Sequence, residues 1–216
     1  MASILVAWRM WHLRSSRLRQ SYMSTVGTII GARPRPSLHT YETALGLGTA
    51  PVNPHYANTM AAYNRWMNDR LYEACSKASD EQRRKDLGAF FKSMHGTLNH
   101  LLLADRIWLG RFSQKPFQAT SLNQELYSKF DELREQRDQT DRDITEWAIS
   151  LRDSDFGGTL HYVSIVDPQP RSCPFDIAVV HFFNHQTHHR GQLTTLLMQS
   201  GIDPGITDLI ALALPR

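Results

Sequence analysis

The stretch "NHQTHHRGQ", residues 184–192, places three of the chain's ten histidines within five positions. His185 and His189 are four residues apart, so on a helix their rings lie one above the other on a single face. His188 is turned from His185 by about 300° and lies beside that face. Imidazoles at this spacing are about 6 Å apart at Cβ, close enough to share one divalent ion. The pair alone is a weak signal, because a metal ion also needs a ligand converging from another element. His100, mid-way along the apolar segment "TLNHLLLADRIW", is the best-placed candidate, since a polar ring beside an apolar stripe needs a partner. His95 competes with it from a different angular sector. His181 extends the His185/His189 face by one turn, as a substitute ligand or a support.

Other metal chemistries are excluded by spacing. The chain has no HExxH and no ExxH, so neither a zincin nor a carboxylate-bridged di-iron bundle is expected. Its two cysteines, Cys75 and Cys173, form no CxxC pair and read as free thiols. Three histidines without a protein carboxylate leave coordination positions for water or substrate, the catalytic arrangement rather than the closed structural one. An ion on three neutral imidazoles keeps its full charge and can lower the pKa of a thiol or water beside it toward about 7. Imidazole suits nickel, zinc, copper and iron alike.

Around this centre, Gln192 follows His185 by seven residues on the same face and could orient a ligand's ring N–H. Arg190 is expected to pair with Asp105 across two helices. His188 reads as exposed or as a support beside the ligands, and His161, in the hairpin, as a surface histidine that could also reach the bundle mouth. Tyr63, Trp66 and Trp108 read as core aromatics at helical spacing.

The elements that must position these residues are helical. "NPHYANTMAAYNRWMNDRLYEACSKAS" carries Met60, Tyr63, Met67, Leu71 and Cys75 at helical steps and predicts a first long helix ending near Ser79. Asp80 and Glu81 suit a helix entry. "LGAFFKSMHGTLNHLLLADRIWLGRF" predicts a second, with Phe90, Met94, Leu98, Leu101, Ile107 and Trp108 as its stripe and Pro116 beyond its end. A Ser121–Gln124 capping box opens the third, "SLNQELYSKFDELREQRDQTDRDITEWAISL", whose stripe is Leu126, Phe130, Leu133, Ile144, Trp147 and Ile149. Between Asp155 and Pro174 short alternation around "DPQP" predicts a small hairpin. Asp176 caps the fourth long helix, closed by Gly201, and a short apolar turn ends the chain. Four long helices give an all-α four-helix bundle over residues 53–216.

Residues 1–52 differ from the rest. The first 41 contain six arginines, no lysine and no acid; the remainder carries 18 basic and 21 acidic residues, a net charge of −3. The leader's composition matches an organelle transit peptide, although its arginines are scattered around a helical wheel. The alternatives are a disordered extension, or a start placed too early with Met23 or Met60 the true one. The compartment is accordingly cytoplasmic, or mitochondrial if the leader is a transit peptide. A mildly acidic body argues against nucleic-acid binding, and no apolar run approaches the ~20 residues needed to span a membrane.

"YNRWMNDRLYEAC", "LNHLLLADRIWLGRF" and "NHQTHHRGQLTTLL", in that order over roughly residues 55–214, resemble the DinB-like (DinB/YfiT) family of metalloenzymes. The resemblance implies a four-helix bundle of up-down-down-up topology that is often a homodimer. It implies a nickel or zinc ion held by one histidine of the second helix and two of the last: His100, His185 and His189. It further implies a damage-inducible, metal-dependent transferase or hydrolase acting on a small molecule with a low-molecular-weight thiol. A non-catalytic metal-binding stress-response or scaffold bundle is the alternative. The leader departs from the family pattern, which begins near the first bundle helix.

Overall fold

The computed structural model describes residues 52–213, apart from 166 and 168, as one compact unit. The expectations for the leader lie outside the described residues. α1 (Pro54–Ser76) opens with Asn53 accepting the Tyr56 N–H through its side chain at 3.0 Å and with Pro54 in the first turn, where no backbone donor is needed. It stops before Ser79, because Ser79 instead caps a separate short helix, α2 (Asp80–Arg84), through a reciprocal box with Gln82. α3 (Met94–Phe112), α4 (Phe130–Ser150) and α5 (Phe175–Gln199) complete the bundle. A 3₁₀ turn (Asp153–Gly157) leads into an antiparallel hairpin, β1 (Thr159–Val163) and β2 (Pro170–Pro174), with Tyr162 opposite Arg171. α6 (Ile210–Ala213) is the terminal apolar turn.

Side-chain pairs fix the direction of each helix. Tyr72 stacks on Phe130 while Asn64 bonds Asp141, so α1 and α4 are antiparallel. Asp105 meets Arg137 while Phe112 stacks on Trp147, so α3 and α4 are parallel. His100 neighbours His189 while Trp108 neighbours His181, so α3 and α5 are antiparallel. The bundle is therefore up-down-down-up, and residues 113–129 must run back along its length to restart α4 beside α3.

Three further boundaries depart from the sequence expectation. The second long helix begins at Met94, not Leu87. Residues 87–92 fold into a small loop closed by Leu87 N to Lys92 O and Lys92 N to Ala89 O, each 2.8 Å, with Gly88 and Lys92 at positive φ. Ser93 then caps α3 through Gly96 N, and Phe90 is 68% exposed rather than part of the stripe. The third long helix begins at Phe130, and the Ser121–Gln124 box does not form: Gln124 Oε1 accepts from Thr120 instead. The backbone there is claimed by α3. Asn99 Oδ1 accepts from Leu126 N and Tyr127 N at 2.8 and 3.0 Å, which supplies what an extra helical turn would otherwise have provided. At the far end Ile149 is 68% exposed. α5 begins at Phe175 behind Pro174, so Asp176 lies in the first turn and is not the cap. Gly201 does end that helix, at φ 73.

The core has two apolar clusters with a polar layer between them. Met67, Leu71, Leu98, Leu102, Leu133, Leu193 and Leu197 belong to one; Ala57, Ala61, Ile144, Ala148, Phe182 and Phe183 belong to the other. In α1, α4 and α5 the polar residues between them are pairs four apart: Asn64/Asn68, Arg137/Asp141 and Gln186/Arg190, with Asp105 added by α3. Arg137, only 1% exposed, bridges Asp105 at 2.6 Å and Asp141 at 2.8 Å. Asn64 and Asn68 donate to Asp141, Gln186 Nε2 donates to Asp105 Oδ1 at 3.0 Å, and Arg190 donates to Asn64. The layer fixes the register of all four helices. Its two arginines and two aspartates carry opposite charges, which lets them be buried together.

Candidate metal centre

His100, His185 and His189 converge along the α3/α5 seam, each offering a ring nitrogen within 4.8 Å of the others. His185 and His189 face each other Nε2 to Nε2 at 3.1 Å, as the four-residue spacing requires. His100 meets them from the antiparallel helix, with ring centroids 5.4 Å from His185 and 4.5 Å from His189. Such a group could hold a metal ion.

The tautomers follow from the outer contacts. His100 Nδ1–H donates to Leu122 O at 2.8 Å, which leaves Nε2 as the lone-pair nitrogen; that atom is buried and has no hydrogen-bond partner. His189 Nδ1–H donates to Gln192 Oε1 at 2.8 Å, again leaving Nε2 free to coordinate. Gln192 is held in turn by His188 at 3.2 Å. Burial favours the neutral rings, with the neighbouring imidazoles adding to it. It depresses His100 to about 4, His185 to about 2 and His189 to about 4. All three are therefore neutral at pH 7, the form a metal requires. An orphaned buried lone pair facing two further imidazoles is the donor set a borderline divalent ion fits.

The remaining expectations divide. His95 is turned away, toward Glu125 at 3.3 Å and Tyr127 O at 3.1 Å, on the sector its position predicts. His181, exposed, has its ring 5.9 Å from His185 and is not in the converging group. His188 and His161 are exposed. Tyr63 is core; Trp66 and Trp108 are only half-buried. Cys75 is buried, its thiol pushed up to about 12 by desolvation, and Cys173 is half-buried; both are free. The expected Arg190–Asp105 ion pair does not form. Arg137 of α4 takes the Asp105 carboxylate, and Arg190 is drawn to Asn64 and Thr187. An arginine on a third helix could not be foreseen from the α3 and α5 segments.

Phe91 escaped the sequence reading. Its ring stacks on His100 at 3.7 Å and 17°, and meets His189 edge-on at 5.5 Å. It lies in the 87–92 loop, outside any helical stripe. Its position depends on the tight approach at Gly96, where a Cβ would meet Phe91 O at 2.2 Å. That glycine was the available signal.

An up-down-down-up four-helix bundle with three histidines converging from its second and last long helices defines a class of bundle proteins with a candidate metal centre. The model of the DinB family matches residues 52–215, and the chain belongs to that family. It is similar to Protein DinB of Bacillus subtilis (strain 168), 25% identical over 158 residues, covering 71% of this chain and 91% of the relative. In fold it is similar to a crystal structure of a DinB-like protein from Bacillus cereus ATCC 10987. The TM-score is 0.50 at 19% identity, over 65% of this chain and 90% of the other.

Proposed function

We propose that the centre binds one divalent ion, nickel or zinc, through His100, His185 and His189. On this reading the chain is a metal-dependent transferase or hydrolase of small molecules, with a low-molecular-weight thiol as the co-substrate the family resemblance suggests. The observation that carries it is His100 Nε2, buried without a hydrogen-bond partner and facing two further imidazoles. An unpartnered buried polar atom costs about 1–3 kcal/mol, and a coordinated ion would remove that cost.

A divalent ion on three neutral ligands supplies Lewis-acid chemistry, stabilising a thiol or water beside it as the anion. The chain's own residues do the rest. Leu122 O and Gln192 Oε1 hold the Nδ1–H groups of His100 and His189, fixing both rings with Nε2 inward. Phe91 covers the face of His100 and keeps water from that side. No fourth His, Cys, Asp or Glu joins the group among the described residues, which supports an open coordination position over a closed structural site. A fourth protein ligand closing the ion, such as His181, would instead favour the non-catalytic stress-response or scaffold bundle.

Among the described residues no helix is long and apolar enough to cross a membrane. The homodimer suggested by the resemblance is read by sedimentation equilibrium of the purified chain. The deciding experiment is elemental analysis of untagged protein beside His185→Ala, followed by thiol-transfer assays before and after chelation. About one ion per chain in the parent and little in the variant is the expected result, from one three-histidine site per chain. Metal absent from both, or full activity after chelation, overturns the reading.

A further inference from the structure

Arg111, in the last turn of α3, is half-buried, with its guanidinium carbon 4.5 Å from the Trp108 ring and 4.4 Å from the Tyr162 ring of β1. Two rings thus pack against the guanidinium. Its N–H donors lie in the guanidinium plane, at the edge, and none makes a hydrogen bond or ion pair among the described residues. Burial depresses Arg111, with the neighbouring Tyr162 phenol and Cys173 thiol acting the other way. Carboxylate-paired arginines elsewhere in the chain make the contrast: Arg137 holds two aspartates, and Arg84 reaches Asp80 and Glu125. A partly desolvated fork with free donors is a site for an oxoanion.

The fork is connected to the histidine centre by aromatic surface. The His181 ring lies 4.9 Å from Trp108 and 5.9 Å from His185, and is exposed. Trp108 and Tyr162 present apolar ring surface beside that fork, which an aromatic anion can cover and a hydrated inorganic anion does not use. We propose that Arg111 is the anion-binding subsite for the ligand of the histidine centre, and that this ligand is a small planar or aromatic molecule carrying a carboxylate or comparable oxoanion. Trp108 and Tyr162 form the walls of the subsite, and His181 lines the path to His185. The link to the centre rests on the metal reading above; the anion subsite itself does not.

The test titrates the full-length, chelator-treated chain with sodium benzoate at constant ionic strength, by calorimetry, so that no metal can take the carboxylate. Benzamide and inorganic phosphate are run alongside, against Arg111→Gln, Arg111→Lys, Trp108→Leu and Lys129→Gln. Benzoate is expected to saturate, with benzamide and Arg111→Gln each weaker by about ten-fold or more, the worth of a charge-assisted hydrogen bond. Arg111→Lys, which keeps the charge and loses the fork, falls between and serves if Arg111→Gln does not fold. Trp108→Leu weakens benzoate more than phosphate, and Lys129→Gln, at an exposed cation paired with Glu132, leaves benzoate binding unchanged. Equal binding of benzoate and benzamide, or an Arg111→Gln titration like the parent's, overturns the proposal and leaves Arg111 as a strut holding the hairpin to α3. Phosphate binding as tightly as benzoate overturns its aromatic half. A parent that holds no metal yet binds benzoate through Arg111 overturns the metal reading alone.

Discussion

His185 Nε2 and His189 Nε2 face each other at 3.1 Å, while His189 Nδ1–H is committed to Gln192 Oε1 at 2.8 Å. His189 therefore presents a lone pair inward, and without an ion the contact is satisfied only by an N–H from His185. Coordination would require that proton to move to His185 Nδ1. Gln192→Leu, which frees the His189 tautomer, is expected to weaken metal binding by about 10–100-fold with the fold intact. Competition with a chromophoric chelator measures this; unchanged affinity would remove Gln192 from the centre.

Ion binding to the folded chain alone must raise stability. At free metal 100-fold above Kd the gain is about 2.7 kcal/mol. For a chain of this length that is a rise in Tm of roughly 5–10 °C. The rise should vanish in His100→Ala and in His189→Ala. Thermal melts with and without nickel or zinc would show it.

In metal-free protein the three histidines make stability acid-sensitive. Their folded values of about 4, about 2 and about 4 lie below the ordinary 6.5. Above pH 6.5 neither state is protonated at these rings, and the penalty is absent. Between pH 6.5 and 4 the unfolded chain binds protons that the folded chain refuses, so stability falls with pH. Urea midpoints across that window should decline, and less steeply in His185→Gln. Parallel slopes in parent and variant would count against this ring as the source.

Arg137 neutralises two buried carboxylates at once. Arg137→Met strands both and is expected to cost about 3–5 kcal/mol in urea unfolding. Asp105→Asn, which keeps a polar group opposite Gln186, should cost less.

Gly96→Ala forces a Cβ onto Phe91 O. The loop must move, at a cost of about 1–3 kcal/mol. Because Phe91 stacks on His100, metal affinity should drop with stability; an equally stable, equally tight variant would refute the coupling.

The four long helices, the hairpin before the last and the proximity of His185 to His189 were legible in the sequence because helical period and four-residue spacing act locally. His100 was legible as a lone imidazole beside an apolar stripe. The late starts of α3 at Met94 and of α4 at Phe130 were not, because positive φ at Lys92 and the Asn99 side chain across the bundle outweigh local propensity there. The choice of Arg137 over Arg190 as the partner of Asp105 was equally hidden, since it depends on which of two buried cations the parallel packing of α3 and α4 brings within reach. So were Phe91 over His100 and the rings around Arg111. Local periodicity determined which faces carry the histidines; only the packing of α3 against α5, and of β1 on α3, decided which side chains meet across those faces.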